Sequence, residues 1–429
     1  VKLTYKVHTF GCKVNSYDSG LIEKRMSSDF ELSNEPRIHV LNTCAVTHEA
    51  TLEAGRLARK LKVLDPFCLV VATGCAAQVD TEELARQKAI DLIVANSHKT
   101  DLQNILKSYY NGDLRERVFK SNIFKKEDVE PGGGVDSLHT RSFLKIQDGC
   151  NSFCTFCVIP FARGKSRSIP IRDLVQRVRE LENSGVQEIV MTGVHIGDYE
   201  DGNARLEDLI EAVLAQTTIL RIRLSSLEPP ELTDRLLALY ASDRLCPHFH
   251  MSIQSAQSEV LKQMKRHYSA DEVERALTAI DSRVKNAFVG MDVIAGFPTE
   301  SDEQFEETYR RLEALPWTRL HVFPYSRRPG TFAARFPVLS GAVVKERAAR
   351  LRRLSDERWL KHAQSQVGTK KRALQLRSRN GSSVALSRDF WTVEMPHTVG
   401  SAGEYEVLIV GVAYVEATFG PRLQAQALS

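Results

Sequence analysis

Three cysteines stand within eight residues in "DGCNSFCTFC": Cys150, Cys154 and Cys157, spaced C-x3-C-x2-C. Thiolates this close in sequence can wrap one face of a metal centre. A [4Fe–4S] cube takes four ligands, one on each iron, so three cysteines leave one iron open. An open position is what separates a reactive metal site from a structural one. Simple packing of three cysteines fits poorly, because Asn151, Ser152 and Thr155 between them mark a loop. A zinc site would want a fourth ligand close by, and none appears before Arg163.

A second set of cysteines is spread out. "VHTFGC", "IHVLNTC" and "CLVVATGC" each carry an apolar, β-rich run through Thr or Gly into a cysteine, giving Cys12, Cys44 and Cys75. Parallel strands that end alike bring their ends to one sheet edge, the carboxyl edge where α/β folds bind ligands. The three should converge as another three-thiolate site with an open iron. The alternative is that cysteine, a small hydrophobe, fills the end of the sheet. Cys68 and Cys246 have no partner at ligand spacing and are expected in the core.

The elements that must position these residues follow from periodicity. A chain of 429 residues is long enough for two or three domains. Residues 1–125 alternate strands (4–9, 38–42, 68–73, 91–95) with helices (16–28, 48–63, 81–88, 99–110), which predicts a parallel sheet with helices on its faces. Residues 126–139 read as a polar, Gly-rich linker. From 140 to 335, six apolar runs ("FLKIQ", "VQEIVM", "LRIRLSS", "HFHMSIQ", "AFVGMDVIAG", "RLHVFPY") predict an incomplete (β/α)6 barrel. The Cys150 loop then follows the first barrel strand, at the mouth where such barrels keep their active sites. A basic helix over 341–367 and a small all-β barrel over 368–429 complete a mixed α/β chain.

The net charge of +4 is mild, but residues 341–390 hold 13 Lys and Arg against 4 Asp and Glu. A local surplus of this kind, beside a small β barrel, suits RNA phosphates and splayed bases. No run of 18 apolar residues exists, so no membrane span is expected. The N-terminus alternates like a strand and lacks an apolar leader. A cytoplasmic location is therefore expected, where thiols stay reduced and cysteines serve as ligands rather than disulfides.

C-x3-C-x-aromatic-C after a first barrel strand resembles the signature of radical S-adenosylmethionine enzymes. The resemblance narrows further. "FGCKVNSYDS", "LNTCAVTHEA" and "ATGCAAQ" resemble the N-terminal domain of the methylthiotransferases, and "RSFLKIQDGCNSFCTFCVIPFARGKSRS" resembles their central motif. It runs over nearly the whole chain to about residue 335. "GCKVN", "TGVHIGDY", "RLSSLEP" and "VFPYSRRPGT" look most like the branch acting on N6-threonylcarbamoyladenosine at position 37 of tRNA. The isopentenyladenosine branch reads differently around the first cysteine and after the second barrel strand.

The resemblance implies two [4Fe–4S] clusters, an auxiliary one on Cys12, Cys44 and Cys75 and a second on Cys150, Cys154 and Cys157. S-adenosyl-L-methionine would chelate the open iron of the second and yield the radical that starts attack at C2, while a sulfur on the auxiliary cluster is methylated and transferred. It implies tRNA, an electron donor and a sulfur source as partners, and an RNA-binding (TRAM-like) C-terminal barrel. Residues 388–429 lack that module's usual Gly-Tyr-x-x-Asn-Tyr-like stretch. Cofactor contacts are expected at Phe156, at Thr192 and Gly193 with His195 beside them, at Ser252 and Gln254, and at Gly296 with Asp292. Arg163, Lys165 and Arg167 are expected on the cofactor carboxylate or RNA phosphate, or on a solvated face. The rival from another class is a non-catalytic iron–sulfur carrier or tRNA-binding scaffold; a carrier would close its clusters with a fourth cysteine, and none is placed to do so.

Overall fold

The strands that carry the dispersed cysteines are neighbours in one sheet. In the computed structural model, which describes residues 2–130, 132, 140–376, 383–395, 403–415 and 420–427, that sheet is parallel throughout. Its order is Glu31–Leu32, Thr4–Thr9, Ile38–Thr43, Leu69–Gly74, Leu92–Ala95, Val118–Phe119. The two central strands are buried at every position, as strands covered by helices on both faces must be. Helices Lys13–Met26, His48–Leu64 and Leu102–Tyr110 supply that cover. The edge strands of two residues each are too short to show any alternation, and the sequence does not betray them.

Glycine shapes the ends of these strands. Gly74 has φ +91, and a Cβ there would lie 2.4 Å from the Thr43 carbonyl oxygen. Gly112 has a similar φ of +78 but open space around it. Gly74→Ala should therefore cost about 3 kcal/mol or more, from left-handed strain plus a backbone clash, while Gly112→Ala costs about 1 kcal/mol. Denaturant unfolding of the two variants checks this.

Residues 140–335 build the incomplete barrel. Its parallel strands are Arg141–Lys145, Glu188–Thr192, Arg221–Leu224 continued by Ser226–Leu227, His248–Gln254, Phe288–Ala295 and Arg319–Pro324. The run 221–227 pairs with Glu188–Thr192 on one side and His248–Gln254 on the other, so six strands follow one another around an open arc. Helices such as Ile171–Asn183, Ala270–Arg283 and Asp302–Ala314 pack outside, around the largest apolar core of the molecule.

At the N-terminal ends of these strands a single buried carboxylate holds three arginines. Glu188 pairs with Arg141 at 2.6 Å, Arg221 at 2.9 Å and Arg223 at 3.1 Å. Against the desolvation of burial, these arginines hold its pKa down at about 2, below the ordinary 4.5. A depressed acid stabilises the fold fully above its unfolded pKa and loses that contribution as pH falls toward the folded one. Glu188→Gln should thus cost about 3 kcal/mol at neutral pH. The gap from the native protein should close between about pH 4.5 and pH 2, as read by urea unfolding across that range.

The last strands, Lys370–Leu376, Ser383–Ser387, Thr392–Met395, Glu404–Val415 and Gly420–Ala427, form a closed barrel. It caps the floor of the partial barrel. Arg221 donates to the carbonyls of Leu386 and Ser387, both at 2.9 Å, and Phe390 stacks on His248 with ring centroids 3.9 Å apart. The helix Gly341–Gln364 joins the two, and part of its positive charge is engaged within the chain. Arg347 is buried on Glu300 at 2.7 Å, Arg350 pairs with Glu306, and Arg358 donates to the carbonyls of Leu315 and Glu313. These three arginines anchor the helix to the partial barrel, while Lys345, Arg352, Arg353 and Lys361 are exposed. Arg377 and Arg379, and most of the expected linker over 126–139, lie outside the described residues.

Candidate active site and metal centres

Cys12, Cys44 and Cys75 follow adjacent, in-register strands. Thr43 pairs with Gly74, so Cys44 and Cys75 leave the sheet side by side, and Thr9 pairs with Asn42 three residues before Cys12. Gly11 (φ +84) packs its α-carbon against Cys44, where a Cβ would stand 2.5 Å from Sγ. Buried amides tie the strand ends together: Asn15 donates to the carbonyls of Phe10 and Thr43, both at 2.9 Å, and Asn42 donates to that of Asn15 at 2.9 Å. The three thiols lie close enough to feel one another's charge. Burial pushes the Cys44 thiol up to about 12, so a thiolate there needs a cation to hold it. Cys12 is exposed and opens onto a cavity. Three converging thiols with no fourth cysteine beside them fit a three-cysteine cluster.

The second set converges as its spacing predicts. Cys150, Cys154 and Cys157 act electrostatically on one another, and burial raises Cys157 to about 12. Backbone N–H groups already point at sulfur, Ser152 to Cys150 at 3.4 Å and Ile159 to Cys157 at 3.5 Å, as cluster ligands commonly require. The loop is fixed from both sides: the Thr155 amide donates to the carbonyl of Met264, and that of Ala333 donates to Thr155. Gly149 turns the chain with φ +76, where a Cβ would meet the Lys165 carbonyl at 2.0 Å. The donor set fits a [4Fe–4S] cluster with one open iron.

Gln147 is a residue the sequence reading passed over. Fully buried, its amide oxygen accepts from the backbones of Val194 and His195, both at 3.0 Å, and its nitrogen donates to Gly149 at 2.7 Å. It clamps the loop after the second strand to the cysteine loop. His195 stands 4.0 Å from Cys150 Sγ and is held by Glu231 on Nε2 and Asp198 on Nδ1 at 3.2 Å. With acidic partners on each ring nitrogen it stays protonated and has no lone pair for a metal. Asp198, from the loop after the second strand, and Glu228 and Glu231, after the third, stand together around His195.

Arg163 is not on a cofactor or on RNA. It is 3% exposed, and it bonds Asp148 at 2.9 Å, Asp18 at 3.0 Å, Asn15 at 2.6 Å and the Cys75 sulfur at 3.2 Å. Lys145 and Lys99 join at Asp18, at 2.7 and 3.1 Å. The network ties the parallel sheet to the partial barrel, and its depth explains why an arginine next to the cluster loop is unavailable to a ligand. Arg167 folds back on the carbonyls of Lys165 and Arg163, and Lys165 is exposed.

The other expected contacts divide. Thr192 and Gly193 line a cavity of about 670 Å³ that reaches from Cys12, Cys44 and Cys75 through the barrel to Trp359 and Trp391. Phe156 packs instead against Phe297 and Arg266, in an apolar cluster with Met264. Ser252 leans on Asp292 at 3.4 Å, and Gln254 adopts φ +62 at a bulge. Gly296 (φ +74) makes room for Val344, where a Cβ would meet Cγ2 at 2.8 Å, so the joining helix rather than an adenine explains it. Asp292 does line the cavity, and hydrogen bonds from His250 and His321 keep it ionised despite its burial. Cys68 and Cys246 are buried core residues, as expected. Four lysines or arginines line this cavity (Lys13, Arg163, Arg319, Arg422) against one carboxylate, Asp292. Among the described residues no helix is long and apolar enough to cross a membrane.

Residues 144–312 match the Radical SAM superfamily, and residues 4–95 match the Uncharacterized protein family UPF0004. A threonylcarbamoyladenosine tRNA methylthiotransferase of Aquifex aeolicus is 38% identical, covering 85% of this chain and 91% of its own. One of the same description from Rickettsia prowazekii is 35% identical over 96% of each chain. The solved radical S-adenosylmethionine methyltransferase TsrM of Kitasatospora setae superposes with a TM-score of 0.58 at 14% identity, over 77% of each chain, a likeness of fold.

Proposed function

Because the chain belongs to the radical S-adenosylmethionine methylthiotransferase family, we propose that it converts N6-threonylcarbamoyladenosine at position 37 of tRNA to its 2-methylthio derivative, with two [4Fe–4S] clusters. Membership makes the chain an enzyme and sets aside the carrier or scaffold reading. The observation that carries the substrate is the charge of the cavity. Of the four cations on its wall, Arg163 and Arg422 are paired with carboxylates and Arg319 lies over Trp359, while among the described residues Lys13 has no such partner; that ammonium suits an anionic arm on N6 and would be desolvated for nothing around an isopentenyl arm. Its volume of about 670 Å³ suits a nucleoside.

The chain's own residues would divide the work. Cys150, Cys154 and Cys157 hold the cluster that, with S-adenosyl-L-methionine bound, supplies the radical chemistry no side chain can perform on an unactivated C–H bond. Thr192 and Gly193, set by the Gln147 clamp, bind the cofactor's amino end, and Ser252 and Gln254 complete its contacts. Cys12, Cys44 and Cys75 would present the sulfur on the wall of the cavity that Thr192 and Gly193 also line, and Arg163, bonded to Cys75, keeps that wall charged and ordered. The C–H to C–S exchange needs an external electron donor and a sulfur source. The closed C-terminal barrel, with Trp391 at the cavity, meets the RNA.

Mass spectrometry of nucleosides from tRNA, after expression in a host lacking its own enzyme, tests this. Appearance of 2-methylthio-N6-threonylcarbamoyladenosine is the expected result. Methylthiolated isopentenyladenosine in its place would overturn the substrate and keep the reaction.

A further inference from the structure

The positive wall of the cavity leaves one cation without a counter-ion at the sulfur-bearing end. Arg163 is committed to Asp18 and Asp148, and Arg422 to Glu394 at 2.6 Å. Arg319 lies 3.9 Å over the Trp359 ring, at the N-terminal end of its strand. His250 and His321 share Asp292. Lys13 has no such partner. Among the described residues no carboxylate oxygen lies within 4.0 Å of its ammonium, and it makes no side-chain hydrogen bond. It is half-buried and lines the cavity, where it senses Arg141 and Arg223 against Asp292 and the adjacent Cys12, none of them an ion-pair partner. An unpaired ammonium surrounded by other cations is an unfavourable arrangement that a bound anion would relieve.

We propose that Lys13 binds the carboxylate of the substrate's threonyl arm and so selects adenosines with an anionic group on N6. This rests on the reading of N6-threonylcarbamoyladenosine as substrate. In adenine, C6 carries the arm and C2 receives the methylthio group, and N1 alone separates them. The group that reads the arm must therefore stand close to the group that presents the sulfur. Lys13 is the residue after Cys12, at the first turn of the helix that leaves the auxiliary site. Selection works by difference: an apolar arm would leave the ammonium buried and unpaired.

The test is equilibrium binding of an anticodon stem-loop RNA to the cluster-loaded protein, with iron content checked for each variant. Position 37 carries N6-threonylcarbamoyladenosine, its methyl ester, isopentenyladenosine or plain adenosine. The native protein should prefer the free acid over the ester by about 30-fold. Lys13→Met should bind acid and ester alike, while Lys13→Arg keeps most of the preference. A native protein that binds ester as tightly as acid overturns the proposal, as does a Lys13→Met variant that still discriminates. Should Lys13→Met fail to hold iron, the native comparison of acid with ester decides alone. Failure of the substrate reading looks different: the native protein would then favour the isopentenyl RNA, or bind acid and ester no better than plain adenosine.

Discussion

Replacing any one of Cys150, Cys154 or Cys157 by Ala is expected to lower 5′-deoxyadenosine formation, and with it methylthiolation, by roughly a thousandfold or more. The size follows from where the rate enhancement resides. The cofactor carries the hard step, and neither His195 beside Cys150 nor Asp292 in the cavity replaces it: His195 has both ring nitrogens engaged, and Asp292 is shared by two histidines. With two thiols left, nothing completes the set, because Cys68 and Cys246 are buried elsewhere. Cys246→Ala is the control. It removes a core sulfur and should cost about 1 kcal/mol of stability with the iron content unchanged. Product formation by anaerobically reconstituted protein, read by chromatography, checks each variant.

Loss of Asp18 should have the largest effect on stability. Its carboxylate is shared by Lys99, Lys145 and Arg163, all nearly inaccessible, and against desolvation these cations hold it well below the usual carboxylate range. Asp18→Leu leaves Lys145 and Arg163 with Asp148 alone, and Lys99 with only the Asn42 amide oxygen. Removing one member of a buried ionic set costs about 3–5 kcal/mol, because the remaining charges lose their counter-ion. Because Arg163 also bonds the Cys75 sulfur, the auxiliary site should loosen with it. Combining Asp18→Leu with Lys145→Met should recover part of the loss, which simple packing damage would not. Urea unfolding of the single and double variants measures both.

What could be read from the sequence was set by range. The six cysteines were legible because strand endings repeat and because C-x3-C-x2-C is compact. Parallel pairing of Ile38–Thr43 with Leu69–Gly74 then does the rest in space. The strands of the partial barrel were legible as apolar runs, and His248–Gln254 matches its run residue for residue. Charge partners were not legible. Arg163 and Asp18 are 145 positions apart, and "RGKSRS" looks alike whether its arginine faces solvent or is buried under another domain. The same blindness hid that Arg347 and Arg350 of the helix Gly341–Gln364 are paired within the chain, since sequence counts charges and only the fold shows which already have partners. Gln147 was missed for a related reason: a clamp is defined by the backbone groups it reaches, and those of Val194 and His195 lie 47 and 48 residues away.

The account stands on two separate three-cysteine clusters in one chain, and iron and sulfide content measures that directly. Anaerobically reconstituted native protein should hold about eight iron atoms per chain. A Cys150→Ala, Cys154→Ala, Cys157→Ala triple variant should hold about four. A triple variant that binds no iron, with the fold intact by circular dichroism, would mean that Cys12, Cys44 and Cys75 hold no cluster of their own, and would contradict the account.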